Sequence, residues 1–242
     1  MTFAQRRFRI LTVAAVLFAA CPWPSGAQES VPHAIIMLPP EASASAELAA
    51  LITHWRADGL IEEAQQLDAA PQDSAGFSSL ALLEIAGEQA WQGWQRDAES
   101  RLPAGSRVRR ADVVVEGELP DHDPARALYE VNVYRIKTTV ERYREFCLGY
   151  ISPLMQGQSD AGLMSAYTMF TERGPDGDRH AVLVKAYRDA STYAGIAAFK
   201  LELRERLTTR HPTYPRWHPI KDTLRDNVSE TLATSTQRTS RD

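Results

Sequence analysis

The chain has 242 residues, of which 44% are hydrophobic and 24% charged, and its net charge is −4. This composition is typical of a globular protein, and the length suffices for two small domains or one larger one. The acidic balance argues against nucleic acid as a partner, because binding to a phosphate backbone requires clustered basic residues.

Residues 1–27 have the features of a secretory signal peptide. Three arginines precede an apolar stretch over residues 10–20, which is too short to span a bilayer comfortably, and small residues lead up to Ala27 as a cleavage site. We therefore expect a mature protein that begins near Gln28 and is periplasmic or secreted. No later segment is long and apolar enough to predict a membrane span, so we expect the mature protein to be soluble.

Cys21 offers an alternative to simple cleavage. The residues before it resemble the lipobox of bacterial lipoproteins, although Phe18 stands where that motif usually has leucine. A lipoprotein anchored at Cys21 is therefore the less favoured expectation. Cleavage after Ala27 would leave Cys147 as the only thiol, which excludes an intramolecular disulfide, and we expect this thiol to be buried and unreactive.

The first half of the mature chain, residues 28–120, alternates strand and helix patterns. Apolar residues at helical spacing predict helices, and short apolar runs bounded by proline or glycine predict strands. In chain order the predicted elements are a strand at 33–38, a helix at 45–58, strands at 61–67 and 79–85, a helix at 88–102 and a strand at 107–116.

Residues 121–128 are predicted to link the two halves, because this region is rich in proline and aspartate. The second half, residues 129–234, has a Pro-rich C-terminal extension, and residues 224–234 fit a helix and a strand about equally well. Residues 235–242 are polar and are expected to be disordered. The other predicted elements are a strand at 129–136, a helix that begins with a capping box at 138–141 and is kinked at Pro153, strands at 163–171 and 181–187, and a helix at 189–210.

Two short sequences suggest that the halves are related. Asp58-Gly59-Leu60 and Ala161-Gly162-Leu163 each follow a predicted amphipathic helix and precede a strand. With these turns aligned, each half has the order β-α-β-β-α-β, which is the split βαβ arrangement. The pattern suggests a duplicated unit.

The second half resembles the dimeric α+β barrel superfamily, which includes antibiotic-biosynthesis monooxygenases, NIPSNAP-like proteins and stress-responsive A/B barrel proteins. The resemblance rests on the strand at 129–136, the helix at 143–153, the turn at 161–163 and the strand at 182–187, whereas residues 33–118 match more weakly. In that superfamily two sheets associate into a barrel. The resemblance therefore implies an α+β fold in which two tandem ferredoxin-like units form one intramolecular barrel.

The same resemblance implies a ligand pocket between one sheet face and its two helices. Strand alternation and helix spacing place aromatic and polar side chains of the second half on that face, as in many small-molecule sites. The alternative is that they are core residues whose hydroxyl groups reach solvent or backbone. The candidate ligand-binding residues are Tyr134, Tyr150, Tyr167, His180 and Tyr187, with Asn132, Tyr143 and Lys185 on the same proposed face.

The sequence predicts neither a cofactor nor a metal site, because the histidines are scattered and match no defined ligand spacing. It also assigns no catalytic residue. One functional class is a noncatalytic exported protein that binds a small apolar or aromatic molecule or serves as an interaction module. For such a protein, assembly into a homo-oligomer is left open. The other is a cofactor-independent monooxygenase or isomerase, in which a tyrosine or His180 would stabilise the anion of a phenolic or lipophilic substrate.

Overall fold

The structure is a computed structural model that describes residues 31–71, 76–173 and 179–239, so the predicted signal peptide and Cys21 lie outside the described residues. The strands are β1 (His33–Met37), β2 (Ile61–Ala69), β3 (Ser79–Ile85), β4 (Arg107–Glu118), β5 (Leu128–Ile136), β6 (Met164–Arg173), β7 (His180–Tyr187) and β8 (Arg225–Thr239). The helices are α1 (Ser45–Ala57), α2 (Glu88–Arg101), α3 (Val140–Phe146), α4 (Ser152–Asp160), α5 (Ala190–Arg210), α6 (Tyr214–Trp217) and α7 (Lys221–Leu224).

The described strands close into one antiparallel barrel. Their order is β1-β3-β2-β8-β5-β7-β6-β4, and β4 pairs back onto β1. Each half supplies four neighbouring strands in the same relative order, β4-β1-β3-β2 and β8-β5-β7-β6, and the halves join through the pairs β2–β8 and β4–β6. The predicted α+β fold, with two ferredoxin-like units forming an intramolecular barrel, is confirmed.

The buried side chains form three clusters, one inside the barrel and one between each sheet and its helices. Along β7, Val182 and Val184 face the barrel interior, while Leu183 packs under the helices of the second half. Both faces of the sheet are therefore covered, which explains why this strand is continuously apolar. Among the described residues, none of the helices combines the length and the apolar character that a membrane crossing requires.

Gly59 and Gly162 occupy corresponding positions in the two units. Each follows the end of a helix, α1 or α4, and each has a φ angle of +69°. Residues with a side chain rarely adopt this left-handed conformation, so glycine suits the end of both helices. The repeated turn sequence thus corresponds to a repeated backbone conformation.

The structure corrects several predicted boundaries. The linker covers residues 119–127 rather than 121–128, because β5 begins at Leu128. The second unit extends to Thr239 rather than 234: residues 225–239 form a strand, which excludes the helix alternative, and residues 235–239 pair with β2 instead of belonging to a disordered tail. The prediction of a disordered tail relied on the polar sequence. It was wrong because β8 exposes many of its side chains while its backbone pairs on both sides.

The helix of the second half begins and bends differently from its prediction. Thr139, one residue later than predicted, caps α3 by accepting a hydrogen bond from the Arg142 backbone N–H at 3.2 Å. At the predicted kink, a π-helical segment (Cys147–Ile151) joins α3 to α4. Pro153 has no N–H to donate to the Gly149 carbonyl, which instead accepts a hydrogen bond from Thr213 Oγ1 at 3.3 Å.

Candidate functional site

The structure separates the five residues predicted from sequence to form the site. Tyr134, Tyr150, Tyr167 and Tyr187 belong to the buried cluster between the second sheet and its helices. His180 lies at the start of β7 and has the same strand parity as Val182 and Val184, which face the barrel interior. The predicted pocket face therefore gathers the tyrosines but not the histidine.

The layer around these tyrosines is filled with side chains. Tyr150 stacks on Phe146 and on Tyr214, with ring centres 5.1 and 4.7 Å apart. The guanidinium carbon of Arg225 lies 3.8 Å from the centre of the Tyr134 ring. Residues that follow α5 thus occupy the space where the sequence placed a pocket, and ligand binding by the tyrosines stays a prediction.

Tyr187 belongs to a buried polar network on the same face. Its hydroxyl donates to Glu130 Oε2 at 3.1 Å, Lys185 forms an ion pair with Glu130, and Lys200 Nζ lies 3.8 Å from that carboxylate. Burial lowers the pKa of Lys185 to about 8 despite the carboxylate beside it. Burial also opposes ionisation of Glu130, yet the two lysines hold its pKa below its usual value. Glu130 and the two lysines therefore form a group of interacting charges within the layer.

A cavity of about 200 Å³ lies instead inside the barrel, at the end where β5 begins and β7 ends. The opposite end of the barrel is packed with apolar side chains, among them Phe77, Leu80 and Val182. Apolar lining residues of the cavity are Ala64, Leu82, Leu83, Val113, Ala166, Phe170, Val184 and Ala186. Polar lining residues are His33, Glu63, Gln65, Glu84, Glu116, Glu118, His122, Tyr129, Thr168 and Arg238, while Tyr167 also borders the cavity.

A chain of hydrogen bonds runs from the cavity to the backbone of β7. Gln65 Nε2 donates to Tyr129 Oη at 2.9 Å, and Tyr129 Oη lies 3.4 Å from His122 Nε2. His122 Nδ1 lies 2.9 Å from Ser165 Oγ, which donates to the Ala186 carbonyl at 3.3 Å. The Ala186 carbonyl can only accept, so a Ser165 hydroxyl that donates to it accepts from His122 Nδ1–H, and in this tautomer Nε2 is the acceptor nitrogen.

The pKa values of His122 and Tyr129 agree with a hydrogen bond from the Tyr129 hydroxyl to His122 Nε2. Burial lowers the pKa of His122 below its usual value, although the nearby Glu118 acts in the opposite sense. Burial raises the pKa of Tyr129 to about 12, so its hydroxyl is protonated at neutral pH. The cavity therefore contains a neutral imidazole whose free nitrogen faces a protonated phenol.

A second histidine presents the same kind of nitrogen. His33 Nδ1 lies 2.9 Å from the Val31 carbonyl oxygen, which can only accept, so the neutral ring carries its proton on Nδ1 and leaves Nε2 as an acceptor. Burial lowers the pKa of His33 as well. The His33 ring centre is 6.0 Å from that of Phe170.

The charges at the cavity favour ligands that donate hydrogen bonds. Arg238 pairs with Glu118 at 2.8 Å, whereas Glu63 and Glu116 form no ion pair within the described part of the chain. Carboxylates and unprotonated imidazole nitrogens are acceptors, so this lining offers few free donors. Among the described residues, no group of three or more histidine, cysteine or acidic side chains is arranged to hold a metal ion.

Neither His122 nor Tyr129 was predicted from the sequence to belong to the site. Tyr129 lies on the face of β5 that points into the barrel, opposite the face to which Tyr134 was assigned. His122 lies in the segment between β4 and β5, which was interpreted only as a linker. The predicted barrel could have indicated both residues. When a sheet closes into a barrel, one face of every strand points into a shared interior, and the segments that connect the strands lie at the ends of that interior.

No family model matches the chain, and no curated protein is significantly similar to it in sequence. Solved structures do match. A candidate monooxygenase from Fusobacterium nucleatum is 12% identical with a TM-score of 0.51, and the match covers 88% of this chain and 95% of that one. An anthrone oxidase-like protein is 10% identical with a TM-score of 0.56, covering 86% and 92% of the two chains. At such identities the likeness concerns the fold alone, which is an α+β barrel with both ferredoxin-like units in one polypeptide.

Proposed function

We propose that this protein binds a small molecule inside its barrel. The observation that supports the proposal is the cavity at one end of the barrel, where apolar side chains and the polar groups of His122 and Tyr129 converge. Small-molecule sites commonly combine an apolar wall with a few placed polar groups. The layer between the second sheet and its helices is filled by Tyr214 and Trp217 and offers less support.

The size and chemistry of the cavity limit the ligand. Drug-sized ligands occupy pockets of about 300–1,000 Å³, so a cavity of about 200 Å³ suits a smaller molecule, on the scale of one substituted aromatic ring. Phe170 and Val184 supply apolar contact surface for such a ring. The acceptors around them favour a ligand that carries hydrogen-bond donors.

A second candidate function is cofactor-independent monooxygenase or isomerase chemistry on a phenolic or lipophilic substrate. The observation that favours it is the chain from Gln65 through Tyr129 to His122, because a neutral imidazole beside a protonated hydroxyl is suited to accept a proton from a bound substrate. The candidate monooxygenase and the anthrone oxidase-like protein share the fold, which is compatible with such chemistry but does not establish it.

Filling the cavity tests the binding proposal. Ala166 lines the cavity and is only partly buried, so Ala166→Phe should occupy ligand space. Ala198→Phe, on an exposed face of α5, is the matched control. With para-nitrophenol, which carries a hydroxyl donor, as the probe in isothermal titration calorimetry, we expect Ala166→Phe to weaken binding by about tenfold or more, and Ala198→Phe to bind like the parent chain.

Equal binding by Ala166→Phe and Ala198→Phe would overturn the proposal, as would a parent chain that binds neither para-nitrophenol nor nitrobenzene. Near-ultraviolet circular dichroism checks that each variant is folded. If Ala166→Phe fails to fold, the smaller change Ala166→Leu should weaken binding in the same direction.

We also propose that the protein is exported and works outside the cytoplasm. The support is sequence alone: three arginines, an apolar stretch and small residues before Ala27 occur in the order of a signal peptide. Mass spectrometry of the mature protein should find an N-terminus near Gln28. A retained leader, or a lipid on Cys21, would contradict this.

A further inference from the structure

We infer that His122 is the proton acceptor that recognises the hydroxyl group of a phenolic or enolic ligand in the barrel cavity, an inference that rests on the proposed binding of a small molecule there. The first support is the set of hydrogen-bond partners around the His122 ring. Its Nδ1–H is used by Ser165, which in turn donates to the backbone of β7, so the acceptor nitrogen is Nε2.

The contact between His122 and Tyr129 leaves room for a ligand to compete. Their separation of 3.4 Å exceeds the usual O–H donor distances of about 2.5–3.0 Å, so the bond is weak. Groups that meet a ligand are often poorly aligned before it binds. A ligand hydroxyl at ordinary distance would therefore replace Tyr129 as the donor to His122 Nε2.

Tyr129 then gains a role of its own. Gln65 Nε2 donates to Tyr129 Oη at 2.9 Å and holds that oxygen in place, while the Tyr129 proton is free to turn from His122 toward the ligand oxygen. When the ligand O–H bond breaks, its proton forms the new N–H bond on His122 Nε2, and the ligand keeps the electron pair as an oxyanion. The Tyr129 hydroxyl donates to that oxyanion.

The groups around His122 suit a transient positive charge. Asp121 and Asp123 face it from the same segment, Glu118 from β4 and Arg238 from β8. The three carboxylates favour the imidazolium once it forms, whereas burial keeps the ring neutral before a ligand arrives.

The other charges that line the cavity favour entry of a ligand in its neutral, protonated form. Glu63 and Glu116 line the same cavity and would repel a molecule that is already anionic, such as a carboxylate. A weakly acidic hydroxyl enters neutral and gives up its proton only at His122. This favours phenols and enols over carboxylic acids as ligands.

Two probes of nearly equal shape separate this inference from simple cavity binding. Para-nitrophenol carries the ionisable hydroxyl and gains a visible absorption band on ionisation, whereas nitrobenzene lacks the hydroxyl. We expect the parent chain to bind para-nitrophenol about tenfold more tightly than nitrobenzene, as a hydrogen bond that involves a charged group implies. The phenolate band should grow on binding at a pH below the pKa of the free probe.

His122→Asn is the informative variant, because asparagine retains an amide donor near the position of Nδ1–H but has no counterpart of Nε2. We expect it to abolish both the phenolate band and the preference for para-nitrophenol, with nitrobenzene binding unchanged. His54→Asn, on the exposed surface of α1, should behave like the parent chain. Because burial holds the pKa of His122 below the ordinary histidine value of about 6.5, the preference should also be lost at a pH well below that value, where His122 becomes protonated.

The outcomes distinguish the two proposals. Equal affinity for both probes, or a preference that survives in His122→Asn and at low pH, would overturn the role of His122 while leaving cavity binding intact. A parent chain that binds neither para-nitrophenol nor nitrobenzene would overturn the proposed function itself.

Discussion

Gly149 and Gly195 are both helical glycines of the second half, but their surroundings differ. Gly149 lies in the π-helical segment, where an added Cβ would come within 2.5 Å of Trp217 Cδ1. Gly195 lies in α5, and an added Cβ there would meet nothing within 4 Å. Alanine restricts the unfolded chain at both positions, so the folded surroundings decide the sign of each effect.

We expect Gly149→Ala to lower the free energy of unfolding by about 1–3 kcal/mol, because Trp217 must shift in a packed layer. Gly195→Ala should raise it by about 0.5–1 kcal/mol, because alanine is the better helix former and has open space. Urea denaturation of the two variants measures both changes. Equal effects at the two positions would show that the close contact between Gly149 and Trp217 does not exist in solution.

At the residue scale, the sequence predicted the face on which a side chain lies where the residues follow the two-residue period of a strand. Alternation placed Tyr134 and Tyr187 on faces that do pack under the helices. It did not reveal His122, because a residue in an irregular connection has no periodic signal, and its neighbour Ser165 is 43 positions away in sequence. Only the folded chain brings the two together.

Elements with strong patterns were predicted to within a few residues, whereas β8 was left open between helix and strand. Its sequence alternates too weakly to decide, since many of its side chains are polar and exposed. The deciding interaction is backbone pairing with β5 on one side and β2 on the other, which is a property of barrel closure. The same closure brings Arg238, near the end of β8, to the cavity beside Glu118.

At the scale of the whole molecule, the cavity exists only where both units meet. His33 and Leu82 come from the first unit, and Tyr129 and Ala166 from the second. The sequence predicted the intramolecular barrel, but it could not predict which of the three layers would contain space. Free volume depends on how side chains fill each layer, and the segment after α5 fills the layer in which the pocket was expected.

A crystal structure of the full chain with para-nitrophenol tests the central claim most directly. We expect ligand density inside the barrel, with the ring near Phe170 and the hydroxyl oxygen about 2.5–3.0 Å from His122 Nε2. Density between the second sheet and α3, beside Tyr150, would contradict the claim and would place the site where the sequence alone had suggested it.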